Sequence, residues 1–138
     1  MTVELLYLDS SALVKLISRE PETAALTDRL AGQPDVVSSA LARVEVFRAM
    51  SRVRAPKSEV RRAEAVLGAI ALLRIDDAVL DRAAAIGPTT LRLLDAIHLA
   101  SALSLGDALT AIVTYDARLA SAAGVLGVDV EIPSGQTS

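Results

Sequence analysis

Four acidic residues, Asp9, Glu45, Asp95 and Asp116, stand in or beside apolar stretches where a solvated carboxylate is out of place. Asp9 ends the run Leu5-Leu6-Tyr7-Leu8, and Asp116 follows Ala111-Ile112-Val113-Thr114-Tyr115. Glu45 lies between Val44 and Val46, and Asp95 follows Leu93-Leu94. Charges are rarely set on an apolar surface unless they are paired or bound to a cation. Converging carboxylates suit Mg²⁺ or Mn²⁺, hard cations that take oxygen ligands, retain several waters and need no complete protein cage. Such an ion lowers the pKa of a coordinated water and neutralises phosphoryl oxygens, the chemistry of phosphodiester hydrolysis. Ser11 and Thr114, close in sequence to Asp9 and Asp116, carry hydroxyls able to orient those carboxylates. Each acid also has a structural reading. Asp9 and Asp116 suit helix N-caps, Glu45 suits an ion pair with Arg48 or Arg52 along its own helix, and Asp95 suits a helix start.

Strand-like and helix-like segments alternate along the chain, the pattern of a parallel α/β sheet. Strands are predicted at residues 5–8, 35–38, 72–75, 111–114 and 128–132. Helices are predicted at 10–17, 22–30, 40–53, 58–71, 77–86, 95–105 and 117–123. Pro21, Gly32 and Pro34 punctuate the second helix and the strand after it. Pro56 separates two helices with no strand between them, an αα-hairpin over residues 40–71. Its apolar residues Val44, Phe47, Met50, Val66 and Ile70 either face the core or line a groove for an amphipathic partner helix. In a doubly wound sheet, ligands bind beyond the carboxyl ends of the strands where strand order reverses. Adjacency of the first and fourth strands brings Asp9 and Asp116 together, with Glu45 and Asp95 completing the ring.

With 138 residues, 52% of them hydrophobic, the chain is expected to fold as one domain over residues 1–132 with a flexible polar tail at 133–138. The absence of cysteine excludes thiolate zinc sites, cysteine nucleophiles and disulfides, and agrees with a cytoplasmic setting. No apolar run is long enough to span a bilayer, so no membrane association is expected. A net charge of −3 argues against a general nucleic-acid binder. Its distribution differs, because Arg43, Arg48, Arg52, Arg54, Lys57, Arg61 and Arg62 make one basic stripe. Arginine's planar fork suits phosphate, so Arg43, Arg48 and Arg52 are candidate RNA contacts; the same stripe also reads as a solvated helix surface. His98 is the only histidine, so it cannot form a metal-free acid and base pair or a histidine zinc site. It reads as a packing residue or as support for a neighbouring ligand.

Four blocks then resemble the signature of the PIN-domain ribonucleases, and most of all the VapC-type toxins of toxin–antitoxin pairs. They are Leu8-Asp9-Ser10-Ser11-Ala12-Leu13-Val14-Lys15-Leu16, Arg43-Val44-Glu45-Val46, Leu94-Asp95-Ala96-Ile97-His98-Leu99-Ala100 and Val113-Thr114-Tyr115-Asp116. The resemblance implies a five-stranded parallel sheet of order 3-2-1-4-5 flanked by helices. It implies that Asp9, Glu45, Asp95 and Asp116 bind one or two Mg²⁺ or Mn²⁺ ions, with Ser11 and Thr114 nearby. It further implies endonucleolytic RNA cleavage by metal-activated water that leaves a 5′-phosphate, a cognate small DNA-binding antitoxin, and a homodimer. The alternative within the same fold is a non-catalytic RNA-binding or protein-interaction module. Phospho-receiver and haloacid-dehalogenase readings fail because no lysine occurs late in the chain, and a P-loop fails because no glycine-rich loop follows the first strand.

Overall fold

The first strand, β1 (Leu5–Leu8), has apolar side chains on both faces, as a strand covered by helices on each side must. Leu6 and Leu8 point into one core and Tyr7 into the other, following the period of two along a strand. The computed structural model describes residues 3–33 and 35–135. Pro34, expected just before the second strand, lies outside them, as do the last three tail positions, 136–138.

After β1 come α1 (Ser10–Ile17), α2 (Thr23–Leu30), β2 (Val36–Ser39), α3 (Leu41–Arg52), α4 (Lys57–Ala69) and β3 (Ala71–Leu73). Then follow α5 (Asp77–Ala85), α6 (Leu93–Leu103), a 3-10 turn at Gly106–Ala108, β4 (Leu109–Val113), α7 (Ala117–Val125) and β5 (Val130–Glu131). The sheet runs in the order β3-β2-β1-β4-β5, and every neighbouring pair is parallel. This is the strand order expected from the family resemblance. Strand order reverses at β1, between β2 and β4, and Leu8 stands beside Val113 in register. The two chain exits that carry Asp9 and Asp116 are therefore neighbours. Gly32 and Gly127, with φ of 80° and 77°, turn the chain out of α2 and α7 in the left-handed region that glycine enters without penalty.

One core packs α1, α3 and α4 against Leu6, Leu8, Ala111 and Val113; the other packs α6 and α7 against Tyr7, Val37 and Ile112. The predicted αα-hairpin is present as α3 and α4, and most of its apolar residues take the core-facing option the sequence left open, while Val44 and Phe47 border an open groove along α3. Met50 is buried, and Phe47, Val66 and Ile70 pack against the first core; only Val44, 56% exposed, faces solvent. The interior behind this hairpin needs those side chains to close it. At the carboxyl end, the Pro133 carbonyl accepts a 2.6 Å bond from the Tyr115 hydroxyl, so the expected tail begins anchored. Among the described residues, no helix is long and apolar enough to cross a membrane.

Replacing Leu13, which is wholly buried in α1, with alanine should lower unfolding stability by about 2–5 kcal/mol. Val44→Ala on the exposed face of α3 should stay within about 0.5 kcal/mol of the unmodified chain. Urea denaturation of both variants checks the inside and outside of the hairpin.

Candidate active site

Asp9 continues the sheet and starts a helix at once. Its backbone is extended (φ −81°, ψ −179°), and its N–H still donates to the Val113 carbonyl at 3.3 Å. Its Oδ1 accepts the Ala12 N–H at 3.0 Å, the N-cap bond of α1, and the Ser11 hydroxyl at 2.6 Å. Its Oδ2 accepts the Thr114 hydroxyl at 2.5 Å. The residue is only 3% exposed. A carboxylate offers about four acceptor positions, so these three donors leave room for another partner on Oδ2. Burial pushes the Asp9 carboxyl above its ordinary range, while the bonds from Ser11, Thr114 and Ala12 pull it back.

Thr114 joins both strand exits, for its oxygen also accepts the Asp116 N–H at 3.0 Å. Ser11 does the same from the other side, accepting the Tyr115 N–H at 2.8 Å. Both hydroxyls suggested by the sequence thus hold the acid-bearing segments together. Asp116 is the N-cap of α7, with Oδ1 accepting from Arg118 N–H at 2.9 Å and Leu119 N–H at 3.5 Å. Its capping reading is therefore correct, and Oδ2 is left outside the cap.

Asp95 does not start its helix. α6 begins two residues earlier, at Leu93, and Arg92 occupies the cap position without a side-chain bond. Asp95 sits in the first turn, where the helix dipole favours a negative charge. Its Oδ2 is buried and has no hydrogen-bond partner among the described residues. Burial raises its carboxyl, the charges of Asp116 and Asp9 raise it further, and His98 and Arg92 oppose them.

Glu45 projects from α3 and makes no pair with Arg48 or Arg52. Its Oε1 lies 2.6 Å from His98 Nε2. The intrahelical alternative is thus not the one adopted: the partner comes from 53 positions along the chain, on α6. All four acids line one cavity of about 420 Å³, together with Ser11, His98 and Arg92. Arg43, Arg48 and Arg52 are exposed and line a separate groove along α3 of about 750 Å³, beside Val44 and Phe47. No residue is common to the two. The larger hollow therefore lacks the carboxylates, and the basic side chain that does reach them is Arg92, which the sequence pattern did not single out.

The arrangement fits a hard divalent cation by its donor chemistry. Asp95 offers an orphaned buried oxygen, and Asp9 and Asp116 each have an oxygen with capacity to spare. Among the described residues, no three acidic or imidazole groups are close enough together to enclose an ion unaided. A Mg²⁺-like ion that keeps several of its waters asks for only one or two direct carboxylates.

The raised Asp95 carboxyl sets the sign of a stability effect. Above the ordinary aspartate pKa, the folded state retains a proton that the unfolded chain has released, so stability falls as pH rises through the folded-state value. At pH 7 this raised carboxyl therefore works against folding. Asp95→Asn should therefore melt at a higher temperature than the unmodified protein in chelator at pH 7, with a flatter profile between pH 4 and 7. A lower melting temperature for the variant at pH 7 would contradict this account of the site.

Comparison with known proteins gives a consistent picture. The family described as PIN domain matches residues 6–125. Ribonuclease VapC46 of Mycobacterium tuberculosis is 50% identical over 130 residues, covering 94% of this chain and 98% of that protein. Ribonuclease VapC47 of the same species is 42% identical over 127 residues, covering 89% and 93%. Among solved structures, VapBC2 from Rickettsia felis bound to a DNA fragment from their promoter superposes with a TM-score of 0.73. Its identity is 10%, over 92% of this chain and 97% of that one, so it speaks for the fold alone.

Proposed function

Because the chain belongs to the PIN-domain family, in its VapC branch, we propose that it is a divalent-metal-dependent endoribonuclease and the toxin of a toxin–antitoxin pair. The observation that carries this reading is the meeting of four carboxylates from four separate elements in one cavity, one of them with a buried, unpartnered oxygen. The relatives' printed activity, ribonuclease, supplies the substrate class.

On this reading Asp9, Asp95, Asp116 and Glu45 hold Mg²⁺ or Mn²⁺. Such an ion, when bound, supplies charge neutralisation at the phosphoryl oxygens and a more acidic water. The chain's own residues do the positioning. Ser11, Thr114 and the Ala12 amide fix the plane of the Asp9 carboxylate, so the acid does not turn away when RNA approaches. Asp95 stands on the first turn of α6 and lines the cavity, with its Oδ2 buried and unpartnered. Arg92, at the cavity wall, would pair with an RNA phosphate. Arg43, Arg48 and Arg52, on their neighbouring groove, suit flanking phosphates and not the scissile one. Four acids repel a phosphodiester on their own, so RNA would bind productively only where a cation held by these residues offsets their charge. The family also supports a cognate antitoxin and a homodimer as this chain's partners, both part of the proposal.

Incubation of a total RNA pool with the purified protein tests the reading. Cleavage should require Mg²⁺ or Mn²⁺ and stop with chelator. Asp9→Asn and Asp95→Asn should each fall by about 100-fold or more, the scale of removing a preorganised electrostatic group. Equal cleavage by all three proteins would overturn the assignment, and no cleavage by a folded, metal-supplied wild type would favour a binding module.

A further inference from the structure

His98 is the chain's single histidine and is only 2% exposed. Both of its ring nitrogens are engaged. Nδ1 lies 2.7 Å from the Tyr7 hydroxyl oxygen, and Nε2 lies 2.6 Å from Glu45 Oε1. Tyr7 is wholly buried in the central strand, and its ring meets the imidazole edge-on, with centroids 5.9 Å apart and planes at 76°. A continuous polar chain thus runs from β1, through α6, to the acid on α3. An ionised carboxylate can only accept, so Nε2 carries the hydrogen that faces Glu45. Burial and the Asp9 charge push the Tyr7 phenol upward, so it keeps a proton to offer Nδ1. The buried hydroxyls of Ser38 and Ser101 flank the same phenol without reaching full hydrogen-bond geometry.

We infer that His98 is a positioning residue that fixes the Glu45 carboxylate in the acidic cavity, with Tyr7 fixing the imidazole in turn. The inference rests on the cation site proposed above and adds the means by which the acid without a backbone donor is held. Asp9 and Asp116 are bound to backbone at helix starts, and Asp95 is on the first turn of α6. Glu45 has the longest side chain of the four and no backbone donor. α3 and α6 do not pack broadly against each other. Among the described residues, the His98–Glu45 bond is the one side-chain hydrogen bond that joins these two helices. Without it, Arg48, one turn along the same helix, becomes an available partner that would draw the carboxylate outward. A glutamate already held in one rotamer loses less freedom on joining a cation than a free one does, so the tie strengthens binding without touching the ion.

Two measurements test this together: Mn²⁺ affinity, read from the paramagnetic resonance of free Mn²⁺ added to chelator-stripped protein, and ¹⁵N resonances of the single imidazole. His98→Leu should weaken Mn²⁺ binding by about 10- to 100-fold, the range for partners that orient a ligand. His98→Gln, whose amide can donate from a similar place, should recover most of it. The double variant His98→Leu with Glu45→Gln should bind no more weakly than Glu45→Gln alone, because both changes remove one shared contribution. In the metal-free protein, a hydrogen-bonded Nε2–H resonance should be present and should move in Glu45→Gln. If His98→Leu does not fold, Tyr7→Phe takes its place and should weaken Mn²⁺ binding by a smaller factor. Wild-type affinity in whichever of these two variants folds, or losses that multiply in the double variant, overturns the inference. A wild type that binds no Mn²⁺ overturns the cation site instead, and the Nε2 resonance still decides whether His98 holds Glu45.

Discussion

The carboxylate of Asp9, almost wholly removed from water at the end of the central strand, is stable only because three donors from two distant segments meet it. Ser11 and the Ala12 amide come from the helix that follows β1, and Thr114 comes from the exit of β4. That requirement makes β1 and β4 neighbours, and the parallel order 3-2-1-4-5 provides it. Once the exits are locked by Thr114 and Ser11, Asp116 is placed as the cap of α7, beside the first turn of α6. Asp95 and Glu45 reach the same cavity from α6 and α3, the latter through His98. A buried charge without such donors would be worth several kcal/mol against folding, so the network is structural before it is chemical.

The junction is satisfied, but the cavity above it is not. Asp95 and Asp9 both have carboxyls raised by burial, and the charges of Asp116 and Asp9 add to the repulsion felt at Asp95. Groups held at a cost to folding cluster where function needs them. The sheet tolerates the cost because it is covered on both faces, with Leu6, Leu8 and Val113 in one core and Tyr7 and Ile112 in the other. The same alternation that builds the two cores sends Tyr7 toward α6, where its hydroxyl reaches His98. One strand therefore supplies both the acid at its end and, from its middle, the anchor of a second acid on α3.

Much of this was legible in the sequence. The apolar run before Asp9 gives β1 its bounds, and Asp9 followed by Ser10-Ser11 gives the start of α1. Boundaries slipped where the local signal was ambiguous. Ile70 and Ala71 extend the apolar face of α4, so β3 was expected one residue late, and β5 shrinks to two residues because it is an edge strand paired with β4 alone. The start of α6 ahead of Asp95 was not legible because no capping side chain marks it at Arg92. The convergence of the four acids was readable once strand order was known. The His98–Glu45 contact was not, since two residues on different helices share no periodicity. Nor was the separation of the α3 arginines from the acids, which depends on which face of α3 turns inward.

The central claim is that this cavity hydrolyses RNA with water as the nucleophile, and the ends of the RNA fragments test it most directly. Attack by water leaves a 5′-phosphate and a 3′-hydroxyl at each new terminus; attack by the neighbouring 2′-hydroxyl leaves a 2′,3′-cyclic phosphate and a 5′-hydroxyl. Fragments made by the purified protein with Mg²⁺ should accept ligation through a 5′-phosphate without prior phosphorylation. Fragments with cyclic phosphate and 5′-hydroxyl termini, made equally well in chelator, would contradict the account.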